Sequence, residues 1–290
     1  MTKMSDINDN EIRVIGGDGG AGHKKTIPWW VWVVICVIAV AILLTVILQQ
    51  RKPQSIDTTT PPAVNTNTST TVPTDFWHSN IDVTLPSTTI IRDTLIDSLR
   101  LQIFTPYNAI PELHVGNLSN KDTDIVFAAL AADVRRDNGK IVGAYVYAGE
   151  PLSWGLSKTG YCAIINDKIT IGVAENSPFF EQATEQEGYF FRQYPAVKDG
   201  VMVKNNPENA AFRRALCVLD GTICIVSCPD RVLINDFSCT LVKLGVSDAI
   251  FLVGGTSDGW SRDANGQLTQ IGTSITKNSK YNNYIVFRKQ

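Results

Sequence analysis

Residues Ile27 to Leu48, IPWWVWVVICVIAVAILLTVIL, run for 22 positions without a charge. A helix rises 1.5 Å per residue, so ~20 apolar residues match the thickness of a bilayer core. Trp29, Trp30 and Trp32 crowd the first turns of the run, where an aromatic belt would meet the headgroups. The expectation is a transmembrane helix. A cleaved signal peptide would carry a shorter apolar region and a small-residue cleavage site; here the run continues into QQRKPQ, which favours a retained signal anchor. Lys3, Arg13, Lys24 and Lys25 precede it and only Arg51 and Lys52 follow closely, so the N-terminus is expected in the cytoplasm. Everything after the helix is then extracytoplasmic, at the periplasmic face of a bacterial inner membrane.

Four parts follow from this division. Residues 1–26 form a polar cytoplasmic tail, whose IGGDGGAGHKK glycines lack the strand before and the G-K-[ST] ending of a phosphate loop. Residues 27–48 are the membrane helix. Residues 49–74 are a Thr/Pro-rich tether with too little apolar surface to offset its entropy, and its coil span is about 25 Å. Residues 75–290 remain as one domain, long enough for a sizeable core. A net charge of −2 shows no basic surplus, which argues against a nucleic-acid partner.

Within that domain the sequence reads mostly as strands. RRALCVLDGTICIVS, Arg213 to Ser227, holds two β-rich runs around Asp220-Gly221, a favoured type I′ turn. A two-residue loop pairs Leu219 with Thr222, Val218 with Ile223 and Cys217 with Cys224. YCAIINDKITIGVAE, Tyr161 to Glu175, is a second hairpin around Asn166-Asp167-Lys168. INDFSCTLVKLG places Phe237, Leu241 and Leu244 on one helical face, with Asn235 as cap and Gly245 as stop. Asp248 to Val253 resumes as a strand that runs into Gly254-Gly255. DIVFAALAADV is an apolar strand or helix, and NNYIVF is a closing strand. The fold class expected is α+β, with a mixed sheet.

Six cysteines include Cys36 in the apolar run and five in the domain: Cys162, Cys217, Cys224, Cys228 and Cys239. Cys224, Cys228 and Cys239 have no histidine nearby, so no metal site is expected. The Cys217–Cys224 register leaves both a disulfide and two buried thiols open. His78 and His114 sit in no motif, and the absence of G-x-S-x-G argues against a serine hydrolase.

FFRQYPAVKDGVMVKN, RRALCVLDGTICIV and DFSCTLVKLGVSDAIFLVGGTS stand in a fixed order that resembles the phosphodiester glycosidase family. Gln193, Pro195, Val197 and Gly200 match its first motif. Arg214 and Ala215 lead the second, and Leu244, Gly245, Ala249, Leu252, Gly254, Gly255 and Ser257 match the last. Ala128 to Val146 occupies the place of the family's Asn-Ala-Gly segment, so the resemblance spans about 125 to 275. Three positions depart from the family: Val253 replaces the Asp before Gly-Gly, Ala131-Ala132-Asp133 replaces Asn-Ala-Gly, and Cys217 replaces a strand glycine.

The resemblance implies hydrolysis of a sugar-1-phosphodiester in a glycan or glycolipid, with a carbohydrate or sugar-phosphate ligand. Glycoside hydrolysis commonly uses paired carboxylates, and valine can neither hold charge nor move a proton. Asp258 and Asp133 are the candidate catalytic carboxylates, with Asp263 also near the turn. Arg214 is the candidate phosphate-binding cation. Gly254, Gly255, Thr256 and Ser257 would present backbone N–H groups, and Arg192 and Gln193 would line the pocket. No cofactor is implied. The alternative is a catalytically inert relative that binds glycan or a partner protein.

Overall fold

The structure, a computed structural model, describes residues 77–254, 259–272 and 282–290. All of these fall within one compact unit, Ser69–Gln290. In chain order the first strands are β1 (Thr88–Ile96), β2 (Leu99–Tyr107), β3 (Ala109–Val115), β4 (Ile125–Leu130), β5 (Ala144–Tyr147) and β6 (Glu150–Trp154). Next come β7 (Gly160–Ile165), β8 (Lys168–Val173), helix α1 (Phe179–Glu185), β9 (Tyr189–Gln193), β10 (Pro195–Lys198) and β11 (Val201–Met202). The last are β12 (Ala211–Leu219), β13 (Thr222–Val232), helix α2 (Ile234–Leu244), β14 (Val246–Phe251), β15 (Gly259–Arg262), β16 (Leu268–Ile271) and β17 (Asn283–Lys289).

Tight turns write much of this architecture. β12 and β13 meet around Asp220 (φ 51°) and Gly221 (φ 73°), in the expected register of Leu219 with Thr222 and Cys217 with Cys224. Asn166 (φ 50°) and Asp167 (φ 62°) join β7 to β8 in the same way. Asp97-Ser98, Ala148-Gly149 and Asp199-Gly200 close three further hairpins, again with positive φ at both turn residues. Two successive left-handed residues match the right-handed twist of the flanking strands, which is why they recur.

Three antiparallel sheets result. The largest has the order β1-β2-β13-β12-β14-β10-β11, and the others β16-β15-β4-β17-β3 and β6-β5-β9-β7-β8. Their inner faces share one core that includes Phe104, Phe127, Tyr145, Phe191, Leu216, Ile250 and Ile285. The outer faces are buried too. Ala215, Cys217 and Cys224 pack against Phe237 and Leu241 of α2, while Ala144, Ala163 and Phe190 pack against Phe179 and Ala183 of α1. Burial on both sides explains why β4 reads IVFAAL without alternation, every residue of it buried.

The expected α+β class is therefore overturned. Seventeen described strands stand against two short helices, of 7 and 11 residues, so the domain is mostly β with small helical covers. The membrane helix expected at Ile27–Leu48 lies outside the described residues. Among the described residues no helix is long and apolar enough to cross a membrane, so the single-pass, periplasm-facing placement is not carried further. α2 lies where the periodicity puts it and ends at Gly245 (φ 97°), but Asn235 does not cap it. Its amide instead exchanges hydrogen bonds of 2.9 Å with the Asn205 backbone, pinning the β11–β12 connection to the helix.

Candidate functional site

The segments that carry the four motifs are stitched together by backbone hydrogen bonds. Beyond β4, Ala131 N–H donates to Asn283 O (3.0 Å), and the Asn283 side chain bonds both the N–H and the carbonyl of Ala132 (2.7 and 3.0 Å). Beyond β14, Val253 N–H donates to Ala131 O (3.3 Å), Leu252 N–H to Arg214 O (2.9 Å) and Phe251 N–H to Tyr194 O (2.8 Å). Residues about 40 to 150 positions apart thus meet where β4, β9, β12, β14 and β17 come together.

Asp133 leaves this junction and pairs with a residue that no motif announced. The Lys158 ammonium, its side chain 6% exposed, forms an ion pair with the Asp133 carboxylate, which is 43% exposed. It also donates to Gln193 Oε1 at 2.7 Å and lies 4.8 Å from the centre of the Tyr194 ring. Gln193 Oε1 accepts a second bond from Tyr194 N–H (3.0 Å), so the amide is held by its own chain. Burial pushes the Lys158 ammonium below the usual lysine range, and the Asp133 charge pulls in the opposite direction. Lys158 sits at φ 74°, a left-handed conformation uncommon outside glycine and asparagine. Its carbonyl accepts a 3.1 Å bond from Arg192 Nη1. No local pattern in LSKTG marks this lysine, because its partners lie 25 and 35 residues away in sequence.

Arg214 is buried, at 2% exposure, on the face of β12 that looks into the shared core. Its guanidinium lies against Gly259: a Cβ there would come within 3.3 Å of Arg214 Nη1 and 2.8 Å of Ala128 O. The cation is thus placed at the start of β15, between β12 and β4. At Gly254 the close approach is to the protein itself, since a Cβ would fall 2.5 Å from Phe212 O on β12. Gly255, Thr256, Ser257 and Asp258 lie outside the described residues. Val253 packs against an apolar cluster of Ile125, Ala128, Leu130, Trp260, Tyr284 and Val286.

Two candidates are separated rather than joined. Arg192 and Gln193 are neighbours on β9 and therefore point to opposite faces. Gln193 meets Lys158, whereas the Arg192 guanidinium, 3% exposed, lies 5.8 Å from the Phe190 ring on the α1 side. There it donates to the carbonyls of Lys158, Ala174 and Glu175. Asp263 is also removed, for its carboxylate closes the β15–β16 turn by accepting from the N–H groups of Asn265 and Gln267.

A groove of about 580 Å3 is lined by Arg135, Lys140, Val142, Gly143 and Ser157, near Asp133 and Lys158 in sequence, but neither of those two residues is part of its wall. The two cations give it a positive bias, although Arg135 is paired with Asp137. His78 and His114 donate to the carbonyls of Gly221 (3.0 Å) and Asn117 (3.1 Å), structural roles at half-buried positions. The five described cysteines are free thiols; Cys217 and Cys224 face each other unbonded, and burial pushes the Cys217 thiol well up. Among the described residues no group of three or more His, Cys, Asp or Glu side chains could hold a metal.

No family model matches the chain, and no curated protein matches it. Solved structures do. The catalytic domain of zebrafish N-acetylglucosamine-1-phosphodiester alpha-N-acetylglucosaminidase, auto-inhibited by its pro-peptide, aligns at 12% identity with a TM-score of 0.53. That match covers 73% of this chain and 87% of the zebrafish one. A hypothetical protein from Synechocystis aligns at 13% identity and a TM-score of 0.50, covering 70% of this chain and 62% of its own. At such identities the likeness is one of architecture: the three-sheet domain is distantly related in fold to a glycosidase catalytic domain.

Proposed function

We propose that the domain is a glycosidase-like hydrolase that cleaves the sugar-1-phosphodiester linkage of a glycan or glycolipid, with Asp133 as its working carboxylate. The observation that carries this reading is the Asp133–Lys158–Gln193 cluster, which ties the segment after β4 to the end of β9. In the proposed reaction a water attacks the anomeric carbon and gives its proton to Asp133. The bond from that carbon to the phosphate oxygen breaks, and the phosphate monoester leaves with the electron pair.

A phosphate monoester is a weak base, with a second pKa of about 6. It can depart without a proton from a general acid, so the loss of one carboxylate at Val253 need not abolish turnover. Lys158 positions the Asp133 carboxylate through the ion pair. The groove cations Lys140 and Arg135 fit an anionic substrate. Arg214, with the Gly255–Ser257 backbone, is proposed to contact the phosphate oxygens, and Asp258 stays a second candidate carboxylate.

One observation favours a non-catalytic, glycan-binding reading. Where the family carries an acid, Val253 sits in an apolar cluster. The discriminating experiment is release of reducing sugar by the full chain from methyl phosphodiesters of glucose and N-acetylglucosamine 1-phosphate. Turnover that falls 100-fold or more in a folded Asp133→Asn variant is expected for a general base. A folded wild-type chain without turnover on either substrate overturns the hydrolase reading in favour of binding.

A further inference from the structure

Lys158 straddles the end of β9, and its two halves are held from opposite faces of that strand. Its ammonium meets Asp133 and Gln193 on one side. Its carbonyl, on the α1 side, accepts from Arg192 Nη1 at 3.1 Å. Neither half is favourable by itself: the backbone is left-handed at φ 74°, and the charged side chain is 6% exposed. Such a residue persists only where its surroundings over-determine it.

Arg192 supplies much of that determination. The same Nη1 donates to Ala174 O and Nη2 donates to Glu175 O, both at 2.8 Å. A rigid planar fork thus binds the Lys158 carbonyl to the chain that leaves β8. Ala174 N–H closes the clamp on Thr159 O at 2.9 Å. Glycines let the segments approach it. A Cβ at Gly143 would fall 3.1 Å from Arg192 Cβ and 3.3 Å from Ser157 O, and one at Gly155 would fall 3.3 Å from Gly143 Cα. Gly143 in turn follows Val142, whose N–H donates to Asp133 O at 2.8 Å. Both members of the Asp133–Lys158 pair are therefore referred to Arg192, one through a hydrogen bond and the other through backbone packed beside it. Arg192 is 3% exposed, and its described hydrogen-bond partners are carbonyls with no carboxylate among them. A buried charge without a counter-charge is a costly way to staple a fold, and burial keeps this one from a substrate.

We infer that Arg192 is a positioning residue for the hydrolysis proposed above: from the α1 face of β9 it fixes the Lys158 backbone, and through the Lys158 ammonium it orients Asp133. The inference rests on the reading of Asp133 as the working carboxylate. It takes Arg192 out of the substrate-binding set that the resemblance implies. An arginine that only stapled the fold would, when replaced, cost stability and leave the ion pair of every folded molecule as it was.

Trace acetylation of the full chain with acetic anhydride, read lysine by lysine by peptide mass spectrometry, follows Lys158 directly and needs no turnover. In the wild type Lys158 should be among the slowest lysines to react. In a folded Arg192→Lys variant, which keeps the charge and loses the planar fork, its labelling should rise about tenfold. Labelling of the exposed Lys168 should not change. On the two methyl phosphodiesters kcat should fall about tenfold or more with KM within about twofold, the signature of lost orientation rather than lost binding. Arg192→Met, of similar length and without a buried charge, takes the place of the lysine variant if that one does not fold. Unchanged Lys158 labelling in a folded variant overturns the inference, and so does raised labelling with unchanged kcat. Raised labelling in a chain whose folded wild type turns over neither substrate removes the hydrolase reading, and with it the catalytic part of the inference, while the clamp on Lys158 stands.

Discussion

Replacing Asp133 by asparagine keeps the side chain's shape and removes the only carboxylate that is ion-paired with Lys158 among the described residues. Two unit charges ~3 Å apart at an effective dielectric of ~20 attract by about 5 kcal/mol. Asp133 is 43% exposed, so much of that field runs through water, and a net loss of about 1–3 kcal/mol is the reasonable expectation. For a domain of this size each kcal/mol moves the melting midpoint by about 2–4 °C, so Asp133→Asn should melt roughly 3–9 °C lower in a circular-dichroism scan at pH 7. The pH course follows from the direction of the lysine shift. A lysine whose folded pKa is depressed carries its burial cost in full below that pKa; the cost fades as pH rises towards the unfolded value near 10.5. Removing Asp133 removes the influence that opposes the depression, so the deficit of the variant should be largest near neutrality and shrink above pH 9. In the double variant Asp133→Asn/Lys158→Met no buried ammonium remains, and stability should return towards wild type. A single variant melting within 1 °C of wild type, flat from pH 7 to 10, would refute the claim that Lys158 depends on Asp133.

Other consequences can be read as directly. Gly254→Ala should lower the urea midpoint by more than 1 kcal/mol equivalent, because its Cβ would meet the Phe212 carbonyl at 2.5 Å and backbone cannot swing aside. Tyr145→Phe should leave stability unchanged or raise it by about 1 kcal/mol, since the Tyr145 hydroxyl is wholly buried without a hydrogen-bond partner; an equilibrium denaturation curve shifted to lower denaturant would count against this. In the native protein iodoacetamide should modify Cys239 well before Cys162, Cys217, Cys224 and Cys228, which are buried. Peptide mass spectrometry reads the order.

What the sequence makes legible here is local. Asp220-Gly221 and Asn166-Asp167 announce their hairpins because turn chemistry needs only two residues to accept positive φ. Asp199-Gly200 carries the same signal, but Asp97-Ser98 and Ala148-Gly149 do so weakly, and tertiary context completes them. Gly245 ends α2 as its φ demands, whereas Asn235, equally suited to capping, is taken by Asn205. The class is not legible in the sequence, because a β-rich order does not reveal that strands divide into three sheets with helices only as covers. Arg214 and the Gly254-Gly255 pair are visible in the sequence as motif, whereas Lys158 is not, because its partners Asp133 and Gln193 come from distant segments. Arg192 and Gln193 carry a signal of their own in the sequence: adjacent residues in a strand point to opposite faces.

β17 lies between β4 and β3 and pairs along its whole length with β3. Leu130 and Asn283 are separated by roughly 150 positions. At a synthesis rate of ~5–20 residues per second, β4 waits roughly 8–30 s on the ribosome for the neighbour that closes its edge. During that interval six consecutive apolar residues present unpaired N–H and C=O groups, the template on which nascent chains join one another. Protection of the growing chain, rather than the stability of the finished one, then sets the yield of folded protein, and a message truncated before Asn283 codes for a strand edge that nothing in its own product can cover.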